Sequence, residues 1–153
     1  MTQNMPAAGR LAALRAELAR LGLDGVLVPR GDAFLGEYVP PSAERLAWLT
    51  GFTGSAGLAL VLAGQAFLFV DGRYTTQALR EADPAFWTVR HLIEQPPAET
   101  LKAQPAGLRI GYDPWLHTEA AIAKLSASGA ELVPLGSNPI DAVWQGIDHG
   151  RRP

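Results

Sequence analysis

Two apolar runs, Leu58 to Leu62 and Ala66 to Val70, are joined by nothing more than Ala63-Gly64-Gln65. Glycine bounds them outside as well, at Gly57 and at Asp71-Gly72. Apolar runs of this length between glycines favour two buried strands of a hairpin, with helix as the competing reading that periodicity alone leaves standing. The stretch before them, Thr50-Gly51-Phe52-Thr53-Gly54-Ser55-Ala56-Gly57, makes a poor helix or strand interior. Glycine loses the most backbone freedom on ordering and adds no packing, so this stretch reads as a tight loop. Asp71-Gly72 then ends the second strand and places Arg73 at the edge of the sheet, beside a new helix.

The rest of the chain alternates around that hairpin. Leu11, Leu14, Leu18 and Leu21 recur at steps of three and four and put one apolar stripe on a helix, with Arg15, Glu17 and Arg20 on its other face. Gly22 suits its C-terminal cap. Val26-Leu27-Val28 is a short buried strand ended by Pro29, and Leu35 to Pro41 is loop. Ser42 is placed to cap a short helix through Glu44, Arg45 and Trp48. Tyr74 to Ala82 reads as helix stopped by Asp83-Pro84, Phe86 to Leu92 as strand, and Ala98 to Gln104 as one or two helical turns. Leu108 to Tyr112 alternates like a strand and ends at Asp113-Pro114. Thr118 caps a helix with Ile122 and Leu125 inward and Gly129 past its end, Glu131 to Val133 forms a last strand, and Asn138-Pro139 opens a helix presenting Ile140, Val143 and Trp144. The sum is an α/β fold: a mixed sheet of about six strands flanked by helices.

Composition narrows the function classes. At 153 residues with 48% hydrophobic side chains the chain suits one domain with a sizeable core. A net charge of -2 gives no electrostatic case for nucleic acid or an anionic membrane surface. Cysteine is absent, which removes disulfides and thiolate metal sites. No apolar run approaches membrane-spanning length and no signal peptide is visible, so a cytoplasmic protein is expected.

Several motifs invite chemistry and fall short of it. The glycine loop with Ser55 lacks the Lys-Ser/Thr ending of a phosphate-binding loop and leads into a strand where a phosphate site wants a helix N-terminus. No serine sits in a Gly-x-Ser-x-Gly elbow. His91, His117 and His149 are widely separated, and none has carboxylates at metal-ligand spacing, so locally bonded imidazoles outweigh a metal site.

Four blocks taken together carry a resemblance: Trp48 to Gly57, then Asp71-Gly72-Arg73-Tyr74, then Gly111-Tyr112-Asp113-Pro114-Trp115, then Asn138-Pro139-Ile140-Asp141-Ala142-Val143-Trp144. In this order they resemble the N-terminal domain of the Xaa-Pro aminopeptidases, in the creatinase/prolidase family, and most closely the longer three-domain form. The resemblance implies a ribonuclease-H-like arrangement of the sheet. It also implies a parent enzyme that releases an N-terminal residue preceding proline, using a dinuclear Mn(II) or similar centre in a later catalytic domain. None of that domain's ligands maps onto this chain, so no catalytic or metal residue is assigned and the chain alone is expected to be inactive. Residues 1–8 are then a tail, 9–145 the domain, and 146–153 a linker toward a second domain. Leu46 stands where the family usually has an arginine, and Ser42 lies near a usual aspartate, so a charged contact there is expected to be absent or replaced.

Within this frame Arg73 is the residue singled out, as a substrate-binding group. Its planar fork suits a carboxylate or peptide carbonyls, and a position after Asp71-Gly72 holds it in place. Pairing with Asp71 is an equally good reading of the spacing, and the resemblance favours the cleft. Asp32, Asp71 and Asp113, each near a strand end, suggest a two-metal nuclease, but Asp-Gly and Asp-Pro are ordinary turn dipeptides. The expected partners are a peptide with proline in second position and a second copy of the chain, with no nucleic acid or membrane. The competing reading is a stand-alone peptide- or protein-binding module of the same fold without peptidase activity.

Overall fold

A computed structural model of the chain describes residues 7–29, 45–53, 57–114 and 117–144. Asp32, Ser42, Ser55 and His149, the 35–41 loop, most of the expected tail and the 146–153 linker lie outside them.

The first helix, α1 (Ala7–Leu21), starts just inside the expected tail and buries Leu11, Leu14 and Leu18. Leu21 departs from the expected stripe and is 38% exposed. It lies only about 20° around the helix axis from the buried Leu14, so its exposure follows from its place in the last turn, where the helix ends at Gly22. The helix stops at Gly22, with φ of 73°. There Leu23 N–H donates to Leu18 O at 2.9 Å and Gly22 N–H to Ala19 O at 3.1 Å, the paired bonds of a left-handed cap.

Strand β1 (Gly25–Pro29) follows, then α2 (Arg45–Thr50) and the hairpin β2 (Gly57–Leu62) and β3 (Ala66–Val70). The hairpin reading holds: Leu58 faces Phe69 and Leu60 faces Phe67 in an antiparallel register. A 3-10 turn, Gly72–Tyr74, leads into α3 (Thr75–Glu81). Next come β4 (Thr88–His91), α4 (Pro97–Lys102), β5 (Arg109–Tyr112), α5 (Glu119–Ser126), β6 (Glu131–Pro134) and α6 (Pro139–Val143). The fourth strand is shorter than the expected 86–92. Phe86 and Trp87 turn back instead, their N–H groups donating to Asp83 O at 3.0 and 2.9 Å. Trp144 lies just past its helix, where the backbone is already extended.

The sheet runs β4-β3-β2-β1-β5-β6, with β2 antiparallel to both neighbours and every other pair parallel. Both faces are covered, which explains why β3 is buried at all five positions. Ala66, Leu68 and Val70 face a cluster with Leu11, Leu14 and Leu18 of α1, Leu46 and Leu49 of α2, Ala78 of α3 and Ile140 of α6. Phe67 and Phe69 face a second cluster with Leu101 of α4 and Leu125 of α5. Each fully buried Phe or Leu contributes roughly 1.5–3 kcal/mol, so β3 is the element least replaceable by anything polar. Among the described residues no helix is long and apolar enough to cross a membrane.

Candidate functional site

The Asp71-Gly72-Arg73-Tyr74 turn is built by its own residues. Asp71 Oδ1 accepts the Arg73 N–H at 2.8 Å and so caps the 3-10 turn. That bond, and then the Arg73 guanidinium, hold the Asp71 carboxyl below its usual range, while Asp71 raises Arg73 in return. Gly72 is required by a close approach, since a Cβ there would come within 2.9 Å of His91 Nε2. His91 sits under the turn and is held in place by the next one, its Nδ1 accepting the N–H groups of Ile93 and Glu94 at 3.1 Å each.

Arg73 is therefore fixed at its backbone and loose at its tip. Its side chain is 74% exposed, with Nε 3.2 Å from Asp71 Oδ1 and the guanidinium 5.3 Å from the Tyr74 ring centre. The pair with Asp71 exists, and most of the guanidinium fork stays exposed. Because β3 lies second from the sheet's lateral edge, Arg73 stands at the end of an inner strand and not at an outer edge.

The glycine-rich stretch reaches the same helix from its other end. Gly51 has φ of 85°, and a Cβ on it would meet Glu81 O at 2.8 Å. Glu81 at the end of α3 accepts the Thr53 N–H at 2.8 Å, and that bond, followed by those from Gln77 and the Thr53 hydroxyl, holds its carboxyl below the usual range. Phe52 meets Tyr74 edge to face with ring centres 6.0 Å apart. Residues 54–56 lie outside the described part.

The remaining blocks also meet in pairs. Trp48 stacks on Trp144 at 5.7 Å. Asn138 caps α6 through the Ile140 N–H and donates from Nδ2 to Asp113 Oδ2 at 3.2 Å. Arg45, 4% exposed, forks onto Asp141 with bonds of 2.8 and 3.0 Å. Arg45, next to Leu46, thus makes a buried charged contact of its own, while Ser42, the other half of the expectation, lies outside the described residues. The partner of Arg45 lies 96 residues away, so no local signal marks it. Asp113, Asn138, Arg45 and Asp141 all serve the fold, which leaves Arg73 as the exposed charge among them.

The carboxylates do not converge. Asp71 and Asp113 end β3 and β5, separated by three strand spacings, or about 14 Å, whereas paired catalytic metals sit about 4 Å apart. Asp71 caps its turn and Asp113 binds Asn138. Among the described residues no group of three or more His, Asp or Glu could hold a metal ion, so these side chains do not fit a dinuclear centre. His91 is locally bonded as expected. His117 differs: its Nε2 is buried without a hydrogen-bond partner among the described residues, its ring meets Tyr112 edge-on at 5.8 Å, and burial pushes its pKa down to about 4.

The described residues thus build a mixed α/β sheet covered on both faces, with one glycine-anchored arginine turn at the end of an inner strand. Residues 10–143 match the creatinase/prolidase N-terminal domain family, and the chain belongs to that family. Xaa-Pro aminopeptidase 2 of Homo sapiens is 39% identical over 140 residues, covering 88% of this chain and 21% of that protein. The chain thus spans about a fifth of that relative's length. An X-prolyl aminopeptidase from Caenorhabditis elegans, described as a cytosolic enzyme with a di-nuclear active site, superposes with a TM-score of 0.82 at 32% identity, over 96% of this chain and 26% of that one. The N-terminal domain of the cytoplasmic peptidase PepQ from Mycobacterium tuberculosis superposes with a TM-score of 0.65 at 28% identity, over 88% of this chain and 98% of that one.

Proposed function

We propose that this chain is the non-catalytic N-terminal domain of a metal-dependent, cytoplasmic Xaa-Pro aminopeptidase, and that it shapes peptide access to the active site and joins subunits into a homodimer. The observation that carries the reading is the match along nearly the whole domain to Xaa-Pro aminopeptidases of which it forms about a quarter or less. Arg73 is the substrate-binding residue in this reading. Its support is geometric: a guanidinium on a capped turn, largely exposed, with one solvent-open carboxylate contact. Such a fork can hold a peptide carbonyl or carboxylate while hydrolysis proceeds at a dinuclear centre, with Mn(II) or a similar ion, elsewhere in the parent.

The test compares the parent enzyme with its Arg73→Ala form on an Xaa-Pro tripeptide. The expected result is a KM raised about tenfold with the fold unchanged, the scale of one partly solvated charge-assisted bond. Unaltered kinetics would remove Arg73 from substrate binding. Cleavage of the same peptide by this chain alone with Mn(II) would overturn the division between scaffold and catalyst.

A further inference from the structure

The β2–β3 turn, the segment before β4 and the end of α4 enclose a cavity of about 530 Å3, beside the sheet edge formed by β4. Arg90 stands in its wall, with Gln65, Phe86 and Gln104 around it. In register Arg90 faces Phe69, but its side chain runs back along the sheet and lays the guanidinium over Phe67, 4.7 Å from the ring centre. Nη1 donates to Oγ1 of the buried Thr100 at 3.2 Å.

Among the described residues this guanidinium lacks a countercharge. No carboxylate among them lies in ion-pair range of Arg90, whereas Arg20, Arg45, Arg73, Arg109 and Lys102 each have one. A half-buried guanidinium whose only partners among the described residues are a ring and a hydroxyl keeps its charge and most of its donors for an incoming anion. The donors that anion needs are present, because a guanidinium has five N–H groups and one is used here. Beside it Gln104 Nε2 donates to Gln65 Oε1 at 3.3 Å, which leaves the Gln65 N–H groups and the second Gln104 N–H to donate to a carboxylate. Phe86, 39% exposed, offers an apolar surface on the same wall.

We propose that this cavity is a carboxylate-binding site, with Arg90 as the anchoring cation, Gln65 and Gln104 as amide contacts, and Phe86 against the apolar part of the ligand. One positive charge matches a monoanionic carboxylate better than a dianionic phosphate. The ligand class is an organic monocarboxylate bearing an aromatic or branched apolar group. A free N-acylated amino acid and the C-terminal residue of a peptide share that chemistry.

The test titrates N-acetyl-phenylalanine into the chain and follows amide resonances by NMR. Millimolar binding is expected, with shifts confined to residues 64–67, 84–90 and 100–104. N-acetyl-phenylalanine amide, which lacks the charge, should bind about tenfold more weakly. Arg90→Gln should abolish binding, and Gln104→Glu should do the same by placing a carboxylate beside Arg90 in a chain whose sheet is untouched. The peptide Ala-Ala-Phe separates the two sources: tighter binding than the acylated amino acid assigns the site to chain ends, equal or weaker binding to free acids, and both support a carboxylate site. Equal binding of acid and amide, binding that survives either variant, absence of any shift, or displacement by an equal concentration of phosphate would overturn it.

Discussion

Replacing Asp141 by Asn should destabilise the domain by about 2 kcal/mol. Removing one member of a buried ion pair costs roughly 3–5 kcal/mol, because the other charge is left desolvated. Here the two partners are unequally covered, with the Arg45 side chain 5% and the Asp141 side chain 26% exposed. Water already reaches the carboxylate, which lowers the penalty, and Asn keeps one acceptor for one of the two bonds of 2.8 and 3.0 Å. Urea unfolding followed by far-UV circular dichroism should show the midpoint falling by about 1 M at an unchanged slope, for a slope near 2 kcal/mol per molar. The double change Arg45→Met with Asp141→Leu should recover most of the loss, since an apolar pair of similar volume avoids desolvation altogether. A loss below about 0.5 kcal/mol for Asp141→Asn, or a double variant as unstable as the sum of the singles, would refute the assignment of Arg45 as a buried charge that depends on this partner.

His117 should titrate near 4, well below the ordinary 6.5, because burial disfavours its charged form. The unfolded chain then binds a proton that the native one refuses between those values, so stability is full above pH 6.5, declines as pH falls toward 4 and levels below it, by about 1–2 kcal/mol for a half-buried ring. His117→Phe should flatten that slope in denaturant titrations across the window, and an NMR pKa at or above 6.5 would contradict the burial argument. Gly51→Ala should cost about 2 kcal/mol or more, since a side chain would have to adopt φ of 85° and approach Glu81 O at 2.8 Å. Gly64→Ala, with nothing within 4 Å of its added Cβ, is the matched control and should stay within about 0.5 kcal/mol. Thr118→Ala removes the bond that its hydroxyl accepts from the Ala121 N–H and should cost about 1 kcal/mol in thermal melts, with Thr118→Ser close to wild type.

What could be read from the sequence was local. The hairpin, the cap at Gly22, the Thr118 and Asn138 caps and the turn at Asp71-Gly72 each rest on residues within a few positions of one another, and the structure has them all. Phe86 and Trp87 went astray because a β-prone pair was pulled back onto Asp83 by turn bonds that its own side chains do not announce. Leu21 fitted the spacing of a stripe and still faces water, since the stripe ends where the helix does. Arg45 with Asp141, and Trp48 with Trp144, could not be paired beforehand because only the folded sheet brings them together. In the four blocks Asp71, Asp113, Asn138 and Asp141 cap or pair within the fold, whereas Arg73 stands apart by its exposure.

Arg10 near the start of α1 lies over the ring of Trp48, and Trp48 in turn stacks on Trp144 just past α6. The beginning and the end of the described chain are thus held a few side-chain widths apart by an arginine and two indoles. Such a molecule is suited to circular permutation: a short flexible bridge could join those two points, and new ends cut at the solvent-facing Gly64 turn would leave the same sheet.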